Sequence, residues 1–271
     1  MDWKFSKEKP LRVVTLCSGY DSQCMAIRNL GIPFDLIAWS EIDKYAIQAH
    51  NAVFPEYADR NLGDMTKIDW TKVPDFDLLT YSTPCTDFSN AGKQAGGEEG
   101  SGTRSSILWY TRNAIITKKP KYLLMENVKA LVSGKFIRLF HKWMLELQEY
   151  GYWSYTKVMN AKDHGIPQNR ERIFVVSILG GDEHFSFPKQ EPLKLRLKDM
   201  LEEKVDEKYY LDQDKVNKFI AGLSDEKKKL IEYDDLPAGI DNCNATSLAQ
   251  CRTCTKGPEQ CPRLTKLIPK K

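Results

Sequence analysis

"LRVVTLCSGYDS", residues 11–22, is the stretch on which the reading of this fold turns. "LRVVTLCS" (11–18) is a short, largely apolar run that reads as a buried strand. A Gly-Tyr-Asp-Ser turn closes it, and a helix is expected from Ser22 to about Asn29. A "GIP" break follows, then a second strand, "FDLIAWS" (34–40). The alternation continues with a helix over "DKYAIQAHNAVF" and a clear strand in "DFDLLTYS". Next come a helix over "SSILWYTRNAIIT", the strand "KYLLME", and an amphipathic helix, "IRLFHKWMLELQEYG", ending at Gly151. Strands near 153–159 and 172–179 complete the unit. Strands separated by helices of this length predict an α/β fold, a mostly parallel sheet covered on both faces.

The bulk properties agree. The chain has 271 residues, 41% hydrophobic and 28% charged, with a net charge of +3. That is an ordinary globular balance. No apolar stretch approaches the roughly 20 residues of a membrane helix, and the charged start "MDWKFSKEKP" lacks a signal segment. The expectation is an intracellular protein, cytoplasmic or nucleoid-associated, with no membrane partner. After "SILGG" the pattern decays. "FSFPKQEPLKLRLKDMLEEKV" is punctuated by proline and then helical, and "DQDKVNKFIAGLSDEKKKLIEY" suggests one or two helices. Residues 201–236 carry eleven acids and seven bases, whereas 241–271 carry six bases and two acids. A basic tail suits a polyanion, although most such tails are merely solvated. The expected organisation is a catalytic domain over 1–185, a helical extension or partial recognition region over 186–240, and a cysteine-rich tail over 241–271.

Ligands of open α/β sheets sit beyond the carboxyl ends of the strands. The turn after the first strand holds one glycine, Gly19, and is no dinucleotide fingerprint; alone it could be a plain strand–helix turn. Glu41 ends the second strand, 22 residues further on. A carboxylate there can accept hydrogen bonds from the ribose hydroxyls of a nucleoside cofactor. Asp64 in "LGDM", placed after a further strand, could receive an exocyclic amine. Each acid alone could be a surface residue, and it is the succession on strand ends that favours a nucleoside.

Cys85, in "YSTPCTDFSN", follows a proline just past a strand end, on that same edge. A free cysteine is most often a small buried hydrophobe. Here the following residues are polar, and "GKQAGGEEGSG" has five glycines in eleven residues, the composition of an exposed loop. A thiol of ordinary pKa, about 8.5, is only a few per cent thiolate at neutral pH. It needs electropositive surroundings, for which Arg104, Arg170, Arg172 and a cationic cofactor are candidates. "LLMENV" ends a strand with Glu126 and Asn127, and "QNRERIFVV" sets Gln168, Arg170 and Arg172 at alternating positions entering a strand, expected on one face.

Taken together, "LCSGYDS", "SEIDKYA", "GDM", "STPCTDFS", "MENV" and "QNRER", in this order, resemble the C5-cytosine DNA methyltransferase family across about residues 11–180. The resemblance implies a Rossmann-like, S-adenosylmethionine-dependent methyltransferase fold. It makes Cys85 the nucleophile that adds to C6 of a flipped-out cytosine in double-stranded DNA, and Glu126 the group engaging N3 and the amine. It makes Arg170 and Arg172 the arginine pair that steadies the base at O2. The cofactor would meet Cys17, Ser18, Gly19, Glu41, Ile42, Asp64, Met65 and Pro84. Ser89, Arg104, Asn127 and Gln168 would serve the substrate.

Departures are visible. Cys17 stands where the family carries a phenylalanine and cannot stack on adenine as a ring would, and Thr86 replaces a glutamine. The family's C-terminal Arg-Leu-rich segment and Gly-Asn-x-Val motif are not found. The resemblance therefore implies a truncated product, one subunit of a split enzyme completed by a second polypeptide, or a degenerate relative. Alternatives are the same chemistry on transfer RNA, or a catalytically silent nucleic-acid-binding or regulatory half. Outside the resemblance, Cys243-x7-Cys251-x2-Cys254-x6-Cys261 suits a tetrahedral zinc site, with an iron–sulfur cluster or uncoordinated thiols as the alternatives.

Overall fold

The computed structural model describes residues 5–84, 97–181, 184–202 and 205–224. Its contacts divide the chain into two compact units, one of Met1–Met159 with Arg172–Phe187, the other of Asn160–Glu171 with Pro188–Lys271.

The first unit is built on a six-stranded sheet. Its strands are β1 (Leu11–Leu16), β2 (Phe34–Ser40), β3 (Leu78–Tyr81), β4 (Tyr122–Val128), β5 (Tyr152–Asn160) and β6 (Glu171–Leu179), in the order β2-β1-β3-β4-β6-β5. Pairings β1–β2, β1–β3 and β3–β4 are parallel, and β4–β6 is antiparallel. Helices α1 (Ser22–Asn29), α2 (Lys44–Val53), α3 (Thr111–Lys118) and α4 (Ile137–Glu149) make the crossovers. Alternation along β1 sends Leu11 and Val13 into one cluster with Cys24, Ile27, Trp39 and Phe54, and Val14 and Leu16 into a larger one with Tyr81, Ile115 and Trp143. Both faces of the sheet are therefore covered.

The amino end of the sheet is closed by one clamp. Asp77 accepts from the Arg12 amide at 3.0 Å and from its guanidinium at 3.1 and 2.8 Å. Burial raises the Asp77 carboxyl, but the Arg12 side chain and amide outweigh it and leave the group below its ordinary range. A depressed carboxyl stabilises the fold above the unfolded pKa of about 4, and that contribution is lost as pH falls through the folded value. The clamp is half exposed, so the effect is small, under about 1 kcal/mol. Urea midpoints should therefore separate wild type from Asp77→Asn at pH 7 and converge at pH 3.

Three expectations differ from what forms. The helix read over 105–117 is a 3-10 helix, Arg104–Tyr110, running into α3. The strand expected before Asp64 is reduced to one bridge, Trp39 to Asn61. The helix expected near 195–205 is, among the described residues, a 3-10 turn at Leu197–Met200, whereas α5 (Gln213–Ala221) forms as expected.

Candidate active site

Register alone assembles the site's outline. Leu16 aligns with Ser40 on one side and Tyr81 on the other, and Tyr81 aligns with Met125. One residue further along these parallel strands, Glu41, Cys17, Ser82 and Glu126 form a row at the carboxyl edge of the sheet. Their sequence separation is large and their adjacency is a consequence of parallel pairing.

At the β1–β2 end of the row, the Gly19 amide donates to Glu41 Oε2 at 3.0 Å, while the Ile42 and Asp43 amides donate to Oε1 at 2.8 and 2.9 Å. Three backbone donors thus fix this carboxylate. A carboxylate has about four acceptor positions, so a hydroxyl can still be received. Gly19 adopts a φ of +57°, which costs a glycine nothing. Asn61 ties the next segment in, its Oδ1 accepting from the Glu41 and Gly63 amides at 3.2 and 2.9 Å. Asp64 Oδ1 accepts from the Thr66 hydroxyl and amide at 2.8 and 3.0 Å, which with Lys67 hold its carboxyl below the usual range. Cys17 Sγ lies 3.6 Å from Met65 Sδ; burial, with Glu41 adding to it, pushes the thiol up to about 12. Met65 is buried, whereas Ile42 is 74% exposed beside Glu41, an apolar surface next to a fixed acceptor.

In the middle of the row, three consecutive residues are each held by a side chain from elsewhere. Gln23 Nε2 donates to Ser82 Oγ at 3.0 Å, Asn127 Nδ2 to the Thr83 carbonyl at 3.1 Å, and Ser105 Oγ to the Pro84 carbonyl at 2.8 Å. The chain approaching Cys85 is therefore bonded at every residue. Cys85 and Ser89 themselves lie outside the described residues, as do Cys243, Cys251, Cys254 and Cys261. Among the described residues no group of His, Cys, Asp and Glu could hold a metal ion.

At the far end, Arg172 Nε meets Glu126 Oε1 at 3.0 Å, with side chains 21% and 25% exposed. Val128 pairs with Arg172 across the antiparallel ladder, which sets Glu126 and Arg172 diagonally on one face. Neighbouring strand residues point to opposite faces, and Asn127, beside Glu126, is 1% exposed and donates to the Thr83 carbonyl at 3.1 Å. Gln168, Arg170 and Arg172 were expected at alternating positions entering a strand, on one face. Only Arg172 lies in β6; Gln168 and Arg170 belong to the second unit, in a segment closed by the Arg170 amide on Asn160 Oδ1 at 3.0 Å, and both are exposed. Arg104 opens the 3-10 helix that carries Ser105. The roles of Ser105 and Asn127 escaped the sequence reading, although the burial alternation of β4 contains the signal for Asn127.

The sheet order and its carboxyl-edge site define an S-adenosylmethionine-dependent methyltransferase fold, and solved structures agree. The chain superposes on the Dnmt2 methyltransferase of S. pombe with a TM-score of 0.60 at 21% identity, covering 79% of this chain and 66% of that one. It superposes on the Entamoeba histolytica methyltransferase EhMeth with a TM-score of 0.63 at 19% identity, covering 78% and 66%. The family model of the C-5 cytosine-specific DNA methylases matches residues 11–261, and the chain belongs to that family. The match runs well past residue 180, where the motif resemblance stopped, and takes in most of the cysteine-rich tail. Among curated relatives, the type II methyltransferase M2.ScrFI of Lactococcus lactis subsp. cremoris is 46% identical over 193 residues, 70% of this chain and 54% of the relative. The orphan methyltransferase M.Rho11sI of Bacillus phage rho11s is 33% identical over 253 residues, 82% and 50%. The chain spans about half the length of these relatives.

Proposed function

We propose that this chain carries the cofactor-binding and nucleophile-bearing part of an enzyme that methylates C5 of cytosine in double-stranded DNA. The observation that carries the reading is the single edge row of Glu41, Cys17, Ser82 and Glu126, with Arg172 paired to its last member. S-adenosylmethionine, when bound, supplies the methyl group. The residues present suit it: Glu41 keeps an acceptor position for a ribose hydroxyl, Asp64 is suited to an amine, and Ile42 offers apolar surface for a purine.

The remaining chemistry belongs to the chain. Cys85, as thiolate, adds its sulfur to C6 of the flipped-out base, and the electron pair of the C5–C6 bond moves toward C5. Glu126, in its protonated form, accepts from Arg172 at Oε1 and donates its proton at N3, which neutralises charge as that addition proceeds. Arg172 holds the Glu126 carboxyl in place and lends positive potential to the site. After C5 is alkylated, loss of its proton to a water molecule re-forms the C5–C6 double bond, breaks the S–C6 bond and expels Cys85 as thiolate. The braces on Ser82, Thr83 and Pro84 hold the backbone that leads to Cys85. Unstacking the base costs roughly a few kcal/mol, which contacts to phosphate must offset.

The test uses duplex DNA containing 5-fluorocytosine, because fluorine at C5 blocks the final elimination. The chain is incubated with S-adenosylmethionine and weighed under denaturing conditions, and the attachment site is mapped by peptide digestion. An adduct at Cys85 is the expected result. No adduct on DNA, with one on fluorinated transfer RNA, would move the substrate to RNA. No adduct on either, with the protein folded, would overturn the catalytic reading of this chain.

A further inference from the structure

We propose that Asp21 is a positioning residue of the cofactor loop, its buried carboxylate holding Cys17–Tyr20 in the path that presents the Gly19 amide to Glu41. The functional consequence rests on the cofactor reading above.

Three residues in this five-residue loop are left-handed: Cys17 at φ 52°, Gly19 at 57° and Asp21 at 65°. Only glycine adopts that region without cost, and a non-glycine residue there persists when its surroundings over-determine it. Asp21 is also the N-cap of α1, a position that is ordinarily extended. The Asp21 side chain is fully buried, its Oδ2 accepting from the Thr15 hydroxyl at 2.8 Å and its Oδ1 from the Cys24 amide at 3.3 Å. The Asp21 amide donates to the Ser18 carbonyl at 2.8 Å and closes the turn. From α2, fully buried His50 stacks on Trp39 with ring centroids 3.7 Å apart and brings Nε2 to 3.6 Å from Asp21 Oδ2. Neither ring nitrogen of His50 has a hydrogen-bond partner among the described residues. One side chain thus bonds to β1 and α1 and faces the His50 ring of α2. A residue that merely filled space at a turn would need neither these hydrogen bonds nor three elements around it.

Amide exchange measured by NMR on the free chain tests the loop role without any ligand. In Asp21→Asn, which keeps the volume and tolerates the left-handed region, Gly19 and Tyr20 amides should exchange at least ten-fold faster, while β3 and β4 amides stay unchanged. Calorimetric binding of S-adenosylhomocysteine should weaken about ten-fold. Thr15→Val should lose part of both, and Thr15→Ser should restore what Thr15→Val loses. Unchanged Gly19 exchange in Asp21→Asn, or acceleration shared equally by β3 and β4, would overturn the proposal, the second by reducing Asp21 to general stability. If wild type binds no nucleoside but Asp21→Asn still loosens Gly19, the loop role stands and the cofactor reading falls.

Discussion

Glu126→Gln is expected to slow attachment of Cys85 to 5-fluorocytosine DNA by about 10²–10⁴-fold, the range contributed by a positioned proton donor. The substitution keeps shape and a hydrogen-bond donor but removes the group able to deliver a proton at N3. It also strips the Arg172 guanidinium of the carboxylate that meets it at 3.0 Å. Quenched time courses read by denaturing mass spectrometry give the rate constant directly. Arg172→Lys should fall between wild type and Glu126→Gln, because an ammonium keeps the charge and loses the planar fork that orients a carboxylate. A Glu126→Gln rate within about three-fold of wild type would remove Glu126 from the proton path, since no general acid contributes so little.

Trp143→Ala should be the most damaging single change to stability, lowering it by about 3–5 kcal/mol. Trp143 is fully buried on α4, edge-on to both Tyr81 and Trp109 with ring centroids 6.3 and 5.7 Å away. Its Nε1 donates to the Tyr81 hydroxyl at 3.2 Å. Truncation opens a cavity between helix and sheet and takes away the donor that serves a buried phenol, two costs that add. Urea unfolding monitored by circular dichroism should show a lower midpoint with an unchanged slope. Because Tyr81 immediately precedes the braced Ser82, adduct formation should slow as well. A loss below about 1 kcal/mol would mean that the core can collapse around the gap.

The elements that were legible in the sequence are those decided by local pattern. The bounds of α1 and β2 follow from the turn before Ser22 and the "GIP" break, and the carboxyl-edge position of Glu41 and Glu126 follows from where their strands end. What escaped was decided by side chains competing with the backbone. Ser105 and Ser106 hydroxyls bond the carbonyls of Pro84 and Thr103, and the segment they head is 3-10 where a helix pattern was read. Asn61 spends its amide on Glu41 and Gly63, and the strand before Asp64 shrinks to a bridge. The reading of "QNRER" assumed that alternation begins before the strand does, whereas β6 starts only at Glu171. The Asp21–His50 pair could not be anticipated from spacing, because 29 residues and a crossover separate its members.

The position of β6 has a consequence for the order of assembly. Among the described residues it is the last strand in the sequence, yet it lies between β4 and β5. At synthesis rates of about 5–20 residues per second, β4 leaves the ribosome seconds before the strand that will flank it. Until then β5 has no neighbour within the sheet, and Glu126 has no Arg172. The acid and its arginine meet in the closing event of sheet formation. A nascent or prematurely released chain can therefore hold the first four strands and the Gly19–Glu41 contact while still lacking the pair at the far end of the row.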